Sequence, residues 1–191
     1  MTVTLFTPLV SGQLGTYNTI KATLPHVRAT KGSYIHISAT LHYRGTCDFG
    51  TIFLFNCLKR IRFFVGTPYQ VHVSAAKAAV DATSAVLAVE EGPRGVRSNV
   101  IAPGPIGGTE GMDRLTAKGR EDSWPVPTGR KGESRDVANA AVFLFSNAAS
   151  FISGQILVVD GASEHVRGQM LPYPESVLDP ASYGHLIKPK L

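Results

Sequence analysis

The stretch QVHVSAAKAAVDATSAVLAVEEG, residues 70–92, decides how this chain is expected to fold. It is rich in alanine, valine and leucine, which suit a closely packed helix, and Gly92 followed by proline supplies a helix stop signal. Val73, Lys77 and Asp81 are spaced four apart, so they share one face of the predicted helix. The Lys–Asp pair is either part of a functional site or an ordinary exposed ion pair.

Periodic segments on both sides of this helix predict an alternation of helices and strands. Residues 14–29 carry apolar side chains three and four apart, which predicts a helix that Pro25 should kink or end. A further helix is expected over residues 134–146, with Ser134 as its N-cap. Three short apolar runs are predicted strands: residues 33–39, 96–101 and 155–159. Strands separated by helices predict βαβ units, and therefore an α/β fold with a parallel sheet.

The composition is that of a globular protein with one core. The chain has 191 residues, 43% of them hydrophobic and 17% charged, which excludes a disordered chain. Its net charge of +5 suits a phosphate-bearing cofactor, but no basic stripe is interleaved with aromatics, so nucleic acid is not an expected partner. No apolar run is long enough to predict a membrane span. The two cysteines, Cys47 and Cys57, predict neither a disulfide framework nor a metal site.

Two segments differ from the rest of the chain. Residues 1–12 are expected to be β-prone or irregular. Residues 46–66, TCDFGTIFLFNCLKRIRFFVG, hold both cysteines and five of the nine phenylalanines, without a clear period. The three interpretations are a membrane-surface segment with basic residues among apolar ones, an extra buried strand, and a retained intron. The last is suggested because removing residues 46–66, which is equivalent to removing one of the two Gly-Thr pairs and the residues between them, leaves the continuous sequence RGTPYQ.

A glycine-rich loop, GPIGGTEG at residues 104–111, follows the strand predicted at residues 96–101. Backbone amides in such a loop can approach phosphate groups closely. The loop lacks the G-x-G-x-x-G fingerprint, however, and a simple turn is the alternative interpretation.

Taken together, four segments resemble the C-terminal half of the short-chain dehydrogenase/reductases. These segments are ISAT at 37–40, AAKAAVDA at 75–82, VRSNVIAPGPI at 96–106 and ASFISGQILVVDG at 149–161. Within that superfamily, PYQVHVSAAKAAVDA, LAVEEGP and GGTEGMDRL are more similar to the peroxisomal 2,4-dienoyl-CoA reductases. The resemblance implies a partial Rossmann-type, doubly wound parallel sheet in one truncated domain. Residues 1–12 are then an unmatched leader, residues 46–66 an insertion and residues 164–191 a tail.

The resemblance also implies a type of chemistry. Most members of the superfamily use a serine, a lysine, and a tyrosine four residues before that lysine. Here Lys77 matches the lysine, but Val73 stands at the tyrosine position and Ala39 at the serine position. No hydroxyl is then in place to protonate an alkoxide. The implied reaction is instead an NADPH-dependent reduction of a CH–CH bond in a 2,4-dienoyl-CoA, a step of unsaturated fatty acid β-oxidation.

Individual roles follow from the same resemblance. Lys77 is expected to bind the nicotinamide ribose, and Asp81 to hold or help protonate the acyl end. Asp179, in the tail motif LDPASY, matches a second acidic residue of the family's active site, with an ordinary exposed carboxylate as the alternative. The residues expected to face the nicotinamide and its phosphates are Pro103, Gly104, Ile106 and Thr109.

The family's T-G-x-x-x-G-I-G phosphate loop and its first strands match no stretch of this sequence. One functional alternative is therefore a non-catalytic fragment that keeps only residues 14–29 and 70–91, helices that build subunit interfaces in the superfamily. The strand at residues 33–39 is expected to lie at a sheet edge and to favour self-association. An acyl-CoA substrate and a homo-oligomer are the implied partners, without nucleic acid or membrane. The ending Pro-Lys-Leu, residues 189–191, resembles a peroxisomal address, with the cytoplasm as the alternative.

Overall fold

Strands and helices alternate along the chain, as the sequence predicts. The structure, a computed structural model, describes residues 10–40, 71–110, 112, 126–166 and 175–183. The helices are α1 (Gly15–Ala29), α2 (Val71–Glu91), α3 (Ser134–Phe145), α4 (Glu175–Leu178) and α5 (Pro180–Tyr183). The strands are β1 (Ser33–Ile37), β2 (Arg97–Pro103) and β3 (Ile156–Val159). A π-helical turn at Val10–Leu14 precedes α1, and two 3-10 turns lie at Gly92–Arg94 and Asn147–Ala149. The atypical segment at residues 46–66 lies outside the described residues.

The three strands form a parallel sheet in the order β1-β2-β3. The central strand β2 is buried along its length, and its side chains alternate between the two faces of the sheet. Ser98 bonds to Ser84 of α2, whereas Ile101 packs in a cluster with Leu144 of α3. Since residues 98 and 101 point to opposite faces, α2 and α3 cover the sheet from opposite sides. The predicted α/β fold with a doubly wound parallel sheet is confirmed.

Strand β1 pairs with β2 and with no other strand among the described residues, so it lies at the edge of the described sheet. This agrees with the edge position expected for it. Ile37, its last residue, is 46% exposed. The self-association expected from such an edge stays a prediction.

The first helix reaches Ala29 as predicted, and of the two effects expected of Pro25, ending the helix is excluded because α1 continues through it. A proline inside a helix removes the hydrogen bond to the carbonyl four residues before it, here that of Lys21. Both Lys21 and Pro25 are exposed. Water can therefore satisfy the freed carbonyl, and the helix loses only one internal bond.

Two helix starts also differ from the predictions. Residues 10–12, expected to be β-prone or irregular, belong to the π-helical turn. Gly12 lets this turn pack closely on α2, since a Cβ on Gly12 would lie 3.1 Å from the Cβ of Ala76. Ser134 is the first residue of α3 rather than its N-cap. Glu133 holds the cap position, and its backbone N–H donates to Asp136 Oδ2 at 2.8 Å.

An ion pair between an exposed arginine and a buried glutamate joins the ends of α1 and α2. Arg28 Nε donates to Glu91 Oε2 at 2.7 Å, and Arg28 Nη2 donates to Glu91 Oε1 at 2.5 Å. The Glu91 side chain is only 5% exposed. The hydrogen bond from Arg28 lowers the pKa of the Glu91 carboxyl, which keeps this buried group charged.

No helix of the described residues has the length and apolar character that a membrane crossing requires. Within the same residues, no three histidine, cysteine or acidic side chains group together as a metal site would require.

Candidate active site

The carboxyl ends of the three parallel strands meet at one edge of the sheet. Strand β1 ends at Ile37, β2 at Pro103 and β3 at Val159. Ligands of doubly wound sheets bind at this edge, because the loops that follow the strands converge there. The predicted site residues, apart from Asp179, lie in α2, at the end of β2 and in the loop that follows it.

Lys77 is anchored to the carboxyl end of β1. Its Nζ donates a hydrogen bond to the backbone oxygen of Ile37 at 2.8 Å. Burial lowers the pKa of the Lys77 ammonium, whereas the negative charge of Asp81 acts in the opposite direction. Asp81 itself is buried, with 9% of its surface exposed. The pair is therefore not an ordinary exposed ion pair, which was the alternative interpretation of the sequence.

The tyrosine and serine positions of the superfamily carry no hydroxyl in this structure. Val73 lies one turn before Lys77 in α2, and Ala39 lies just after β1; both are partly buried. The residue after Val73 is Ser74, whose Oγ is buried without a hydrogen-bond partner in the described part of the chain. No side chain at the two family positions can donate a proton to an alkoxide.

Gly104 places the loop after β2 directly against the end of β3. Its N–H donates to Val159 O at 3.0 Å. A Cβ at this position would lie 2.4 Å from the Cβ of Asp160, so the close approach requires glycine. Asp160 in turn fixes the turn after β3, because its carboxylate accepts from Ala162 N at 2.8 Å and from Glu164 N at 2.7 Å. The predicted loop thus reaches the same edge of the sheet as Lys77.

Comparisons with known proteins agree with this arrangement. A family model described as enoyl-(acyl carrier protein) reductase matches residues 57–162, more than half of the chain. The solved structure of an oxidoreductase of the short-chain dehydrogenase/reductase family from Burkholderia thailandensis matches with a TM-score of 0.64 and 27% identity. That match covers 85% of this chain and 57% of the other. This chain belongs to the short-chain dehydrogenase/reductase family.

Two curated relatives carry a more specific name. A peroxisomal 2,4-dienoyl-CoA reductase of Saccharomyces cerevisiae is 42% identical over 170 residues, which is 86% of this chain and 51% of the relative. A peroxisomal 2,4-dienoyl-CoA reductase of Danio rerio is 40% identical over 154 residues, which is 78% of this chain and 44% of the relative. The chain spans about half the length of the curated relatives it matches.

Short-chain dehydrogenase/reductases use a nicotinamide cofactor, and the described residues fit one end of such a molecule. The Lys77 ammonium supplies a cation at the carboxyl edge of the sheet. Gly104 follows the end of β2 at the same edge, where Asp160 leaves no room for a side chain. A cation at the edge where the loops after the strands converge suits ribose hydroxyls and phosphate oxygens.

The remaining predicted loop residues are engaged in the loop itself. Ile106 is buried, with 8% of its surface exposed, and forms a bridge with Gly132. Thr109 Oγ1 donates to Ile106 O at 2.9 Å and accepts from Met112 N at 3.3 Å. Contact of Ile106 and Thr109 with a cofactor stays a prediction, and Ile106 can offer its backbone only.

Asp179 lies between the short helices α4 and α5 and is exposed. Its backbone N–H donates to Glu175 O at 2.9 Å, and its carboxylate accepts from the hydroxyl of Ser182. Both partners are local, so the structure does not join Asp179 to Lys77 or Asp81. Its role as a second acidic site residue stays a prediction.

Asn99 has a structural role that the sequence analysis missed. This residue of β2 is buried, with 1% of its surface exposed. Its Nδ2 donates to Ile152 O at 2.8 Å, and its Oδ1 accepts from Gln155 N at 3.0 Å. The side chain therefore fixes the entry to β3. The available signal was an asparagine inside the predicted strand VRSNVI, because a buried amide needs partners.

Proposed function

We propose that this protein is an NADPH-dependent 2,4-dienoyl-CoA reductase of unsaturated fatty acid β-oxidation. The observation that carries the proposal is the half-buried Lys77 with the buried Asp81 one turn later in α2, at the carboxyl edge of the sheet, with Val73 in place of the family's tyrosine. The names of the relatives at about 40% identity support the same activity. They also support a peroxisomal location.

The absence of a hydroxyl at positions 39 and 73 favours a CH–CH reduction over alcohol or ketone chemistry. Reduction of a ketone requires a proton donor at the new alkoxide. In the reduction of a conjugated thioester, negative charge spreads instead towards the thioester oxygen, where a fixed cation is the more useful group. Lys77 provides that cation, since its Nζ is held by Ile37 O.

Each site residue has a proposed task in this reaction. When bound, NADPH supplies the hydride. Lys77 binds the nicotinamide ribose and stabilises the developing negative charge, while Asp81 holds the acyl end or delivers a proton to it through water. Asp179 is the proposed second acid. The proposed contacts with the nicotinamide and its phosphates come from Pro103, Gly104, Ile106 and Thr109.

We further propose that the protein is a homo-oligomer whose subunits meet through α1 and α2. Several large apolar side chains of these helices are exposed, including Tyr17 at 55%, Val86 at 55% and Val89 at 77%. A groove of about 490 Å³ runs between the two helices and is lined by apolar side chains that include Leu24 and Leu87. Apolar surface of this kind is typical of subunit contacts.

The activity is tested by mixing the purified full chain with NADPH and a 2,4-dienoyl-CoA and following the oxidation of NADPH. We expect oxidation that depends on the dienoyl-CoA, is lost in Lys77→Ala and Asp81→Asn, and is kept in Lys21→Ala, an exposed lysine of α1. Oxidation that depends on a 3-ketoacyl-CoA instead contradicts the proposal. Failure to bind NADPH at all favours the alternative of a non-catalytic fragment.

A further inference from the structure

A buried histidine lies on the face of the sheet that α2 covers. His36 of β1 is only 8% exposed, and its Nε2 lies 3.2 Å from Ser98 Oγ of β2. Its ring stacks on Tyr34, with 5.9 Å between the centroids and 12° between the planes. The Tyr34 hydroxyl lies 2.8 Å from Thr23 Oγ1 of α1. The imidazole is therefore held by two strands and, through Tyr34, by α1.

The hydrogen bonds continue from His36 to the helix that carries the pair. Ser98 Oγ lies 2.8 Å from Ser84 Oγ of α2, and both serines are buried. Ser84 follows Asp81 by three residues, and Asp81 follows Lys77 by four, so all three face the sheet along one stripe of α2. Ile37, whose backbone oxygen binds Lys77 Nζ, is the residue directly after His36. The face of α2 that carries Lys77, Asp81 and Ser84 is thus held against the sheet at two positions. One is the bond from Lys77 to Ile37 O, and the other is the link from Ser84 through Ser98 to His36.

The surroundings of His36 keep its ring uncharged. Burial lowers the pKa of His36, whereas the negative charge of Asp81 acts in the opposite direction. Tyr34 faces the ring from β1, neutral Ser98 faces it from β2, and α1 reaches it only through Thr23 and Tyr34. Lys77 and Asp81 are the charged groups of the α2 stripe above it.

We propose that His36 is a positioning residue for the Lys77–Asp81 pair: an uncharged imidazole that, through Ser98 and Ser84, fixes the pair-bearing face of α2 against β1 and β2. The part of this inference that concerns catalysis rests on the proposed reductase function. In the acid range, protonation of the ring places a positive charge beneath Asp81 and converts a hydrogen-bonded ring into a buried cation. The positions of Lys77 and Asp81 relative to the sheet then change, and so does the net charge around them.

A first test does not depend on catalysis. Imidazole ¹⁵N spectra of the full chain, assigned to His36 with a His36→Asn variant, are recorded over a pH titration. We expect a single neutral tautomer at pH 7 that changes in Ser98→Ala. The midpoint should fall in Asp81→Asn, because the charge that favours protonation is gone, and should not move in Glu90→Gln, an exposed acid of α2. A ring that responds to neither Ser98 nor Asp81 overturns the inference.

A second test uses the reductase assay. We expect kcat to fall about tenfold in His36→Leu, the effect of one lost hydrogen bond of typical strength, with KM less affected. His36→Asn, which can still hydrogen-bond to Ser98 but does not titrate, should recover most of the rate and lose the acid limb of the pH profile. If kcat falls equally in both variants, in proportion to the fall in their melting temperatures, the positioning role is contradicted. If neither the wild type nor any variant oxidises NADPH, the proposed reductase function is wrong. The ¹⁵N spectra then still test whether the His36 ring responds to Ser98 and Asp81.

Discussion

Lys77 Nζ donates a hydrogen bond to the backbone oxygen of Ile37 at 2.8 Å, which joins α2 to the last residue of β1. Two segments that are 40 residues apart in the chain are thereby connected at the edge of the sheet where ligands bind. The bond fixes the direction of the one lysine that the family resemblance assigns to the site.

Replacement of Lys77 by methionine should separate catalysis from stability. Methionine keeps the length of the side chain but removes the cation, so we expect dienoyl-CoA reduction to fall by about 10²-fold or more. The melting temperature should change little, because the ammonium is desolvated in the folded state, as its lowered pKa indicates. Steady-state kinetics and calorimetry measure the two effects. Lys21→Met is the matched control, and equal activity of both variants would falsify the proposed role.

Replacement of Asn99 by alanine should destabilise the fold by about 1–3 kcal/mol. The change leaves Ile152 O and Gln155 N without the partners they have now, inside the sheet. Urea unfolding measures the difference. Asn139, exposed on α3, is the matched control, and Asn139→Ala should be neutral or slightly stabilising. Equal stabilities of the two variants would show that the side-chain bonds of Asn99 contribute nothing.

Replacement of Gly104 by alanine should destabilise the protein by about 1–3 kcal/mol through overpacking. The new methyl group would lie 2.4 Å from the Cβ and 2.9 Å from the Cα of Asp160. At neighbouring Gly107, the closest atom would be 3.8 Å away, which is ordinary contact. Gly107→Ala is therefore the control. Thermal unfolding of both variants checks the prediction, and it fails if Gly104→Ala melts at the same temperature as Gly107→Ala.

Acidification should remove the contribution of the Arg130–Asp136 pair at the start of α3. Hydrogen bonds from Arg130 and from the Glu133 backbone lower the pKa of Asp136 to about 2, from an ordinary value of 3.8. Because the folded-state pKa is the lower one, the pair stabilises the protein above pH 3.8 and loses its effect as the pH falls from 3.8 towards 2. Melting curves of wild type and Asp136→Asn should converge over that range. Curves that stay parallel would contradict it.

Much of the fold could be predicted from local patterns. The helix over residues 70–92 ends at Glu91, where Gly92 and Pro93 stop it, and the three predicted strands are present with ends shifted by at most two residues. Pro25 does not end α1, because a proline on an exposed helix face is tolerated, and the N-cap of α3 is Glu133 rather than Ser134, with Asp136 accepting from the Glu133 backbone. Such details depend on exposure and on side-chain rotation, which a local pattern does not contain.

The sequence by itself determined the alternation of strands and helices, the glycine-rich loop and the presence of lysine without tyrosine at the family positions. Only the tertiary structure decided that Asp81 is buried, that Lys77 binds Ile37, and that the buried His36 lies within hydrogen-bond distance of Ser98. Asp179, which the resemblance joined to the same site, has only local contacts among the described residues. The reason is physical: helix and strand periods follow from neighbouring residues, whereas burial and pKa depend on which distant segments the sheet brings together.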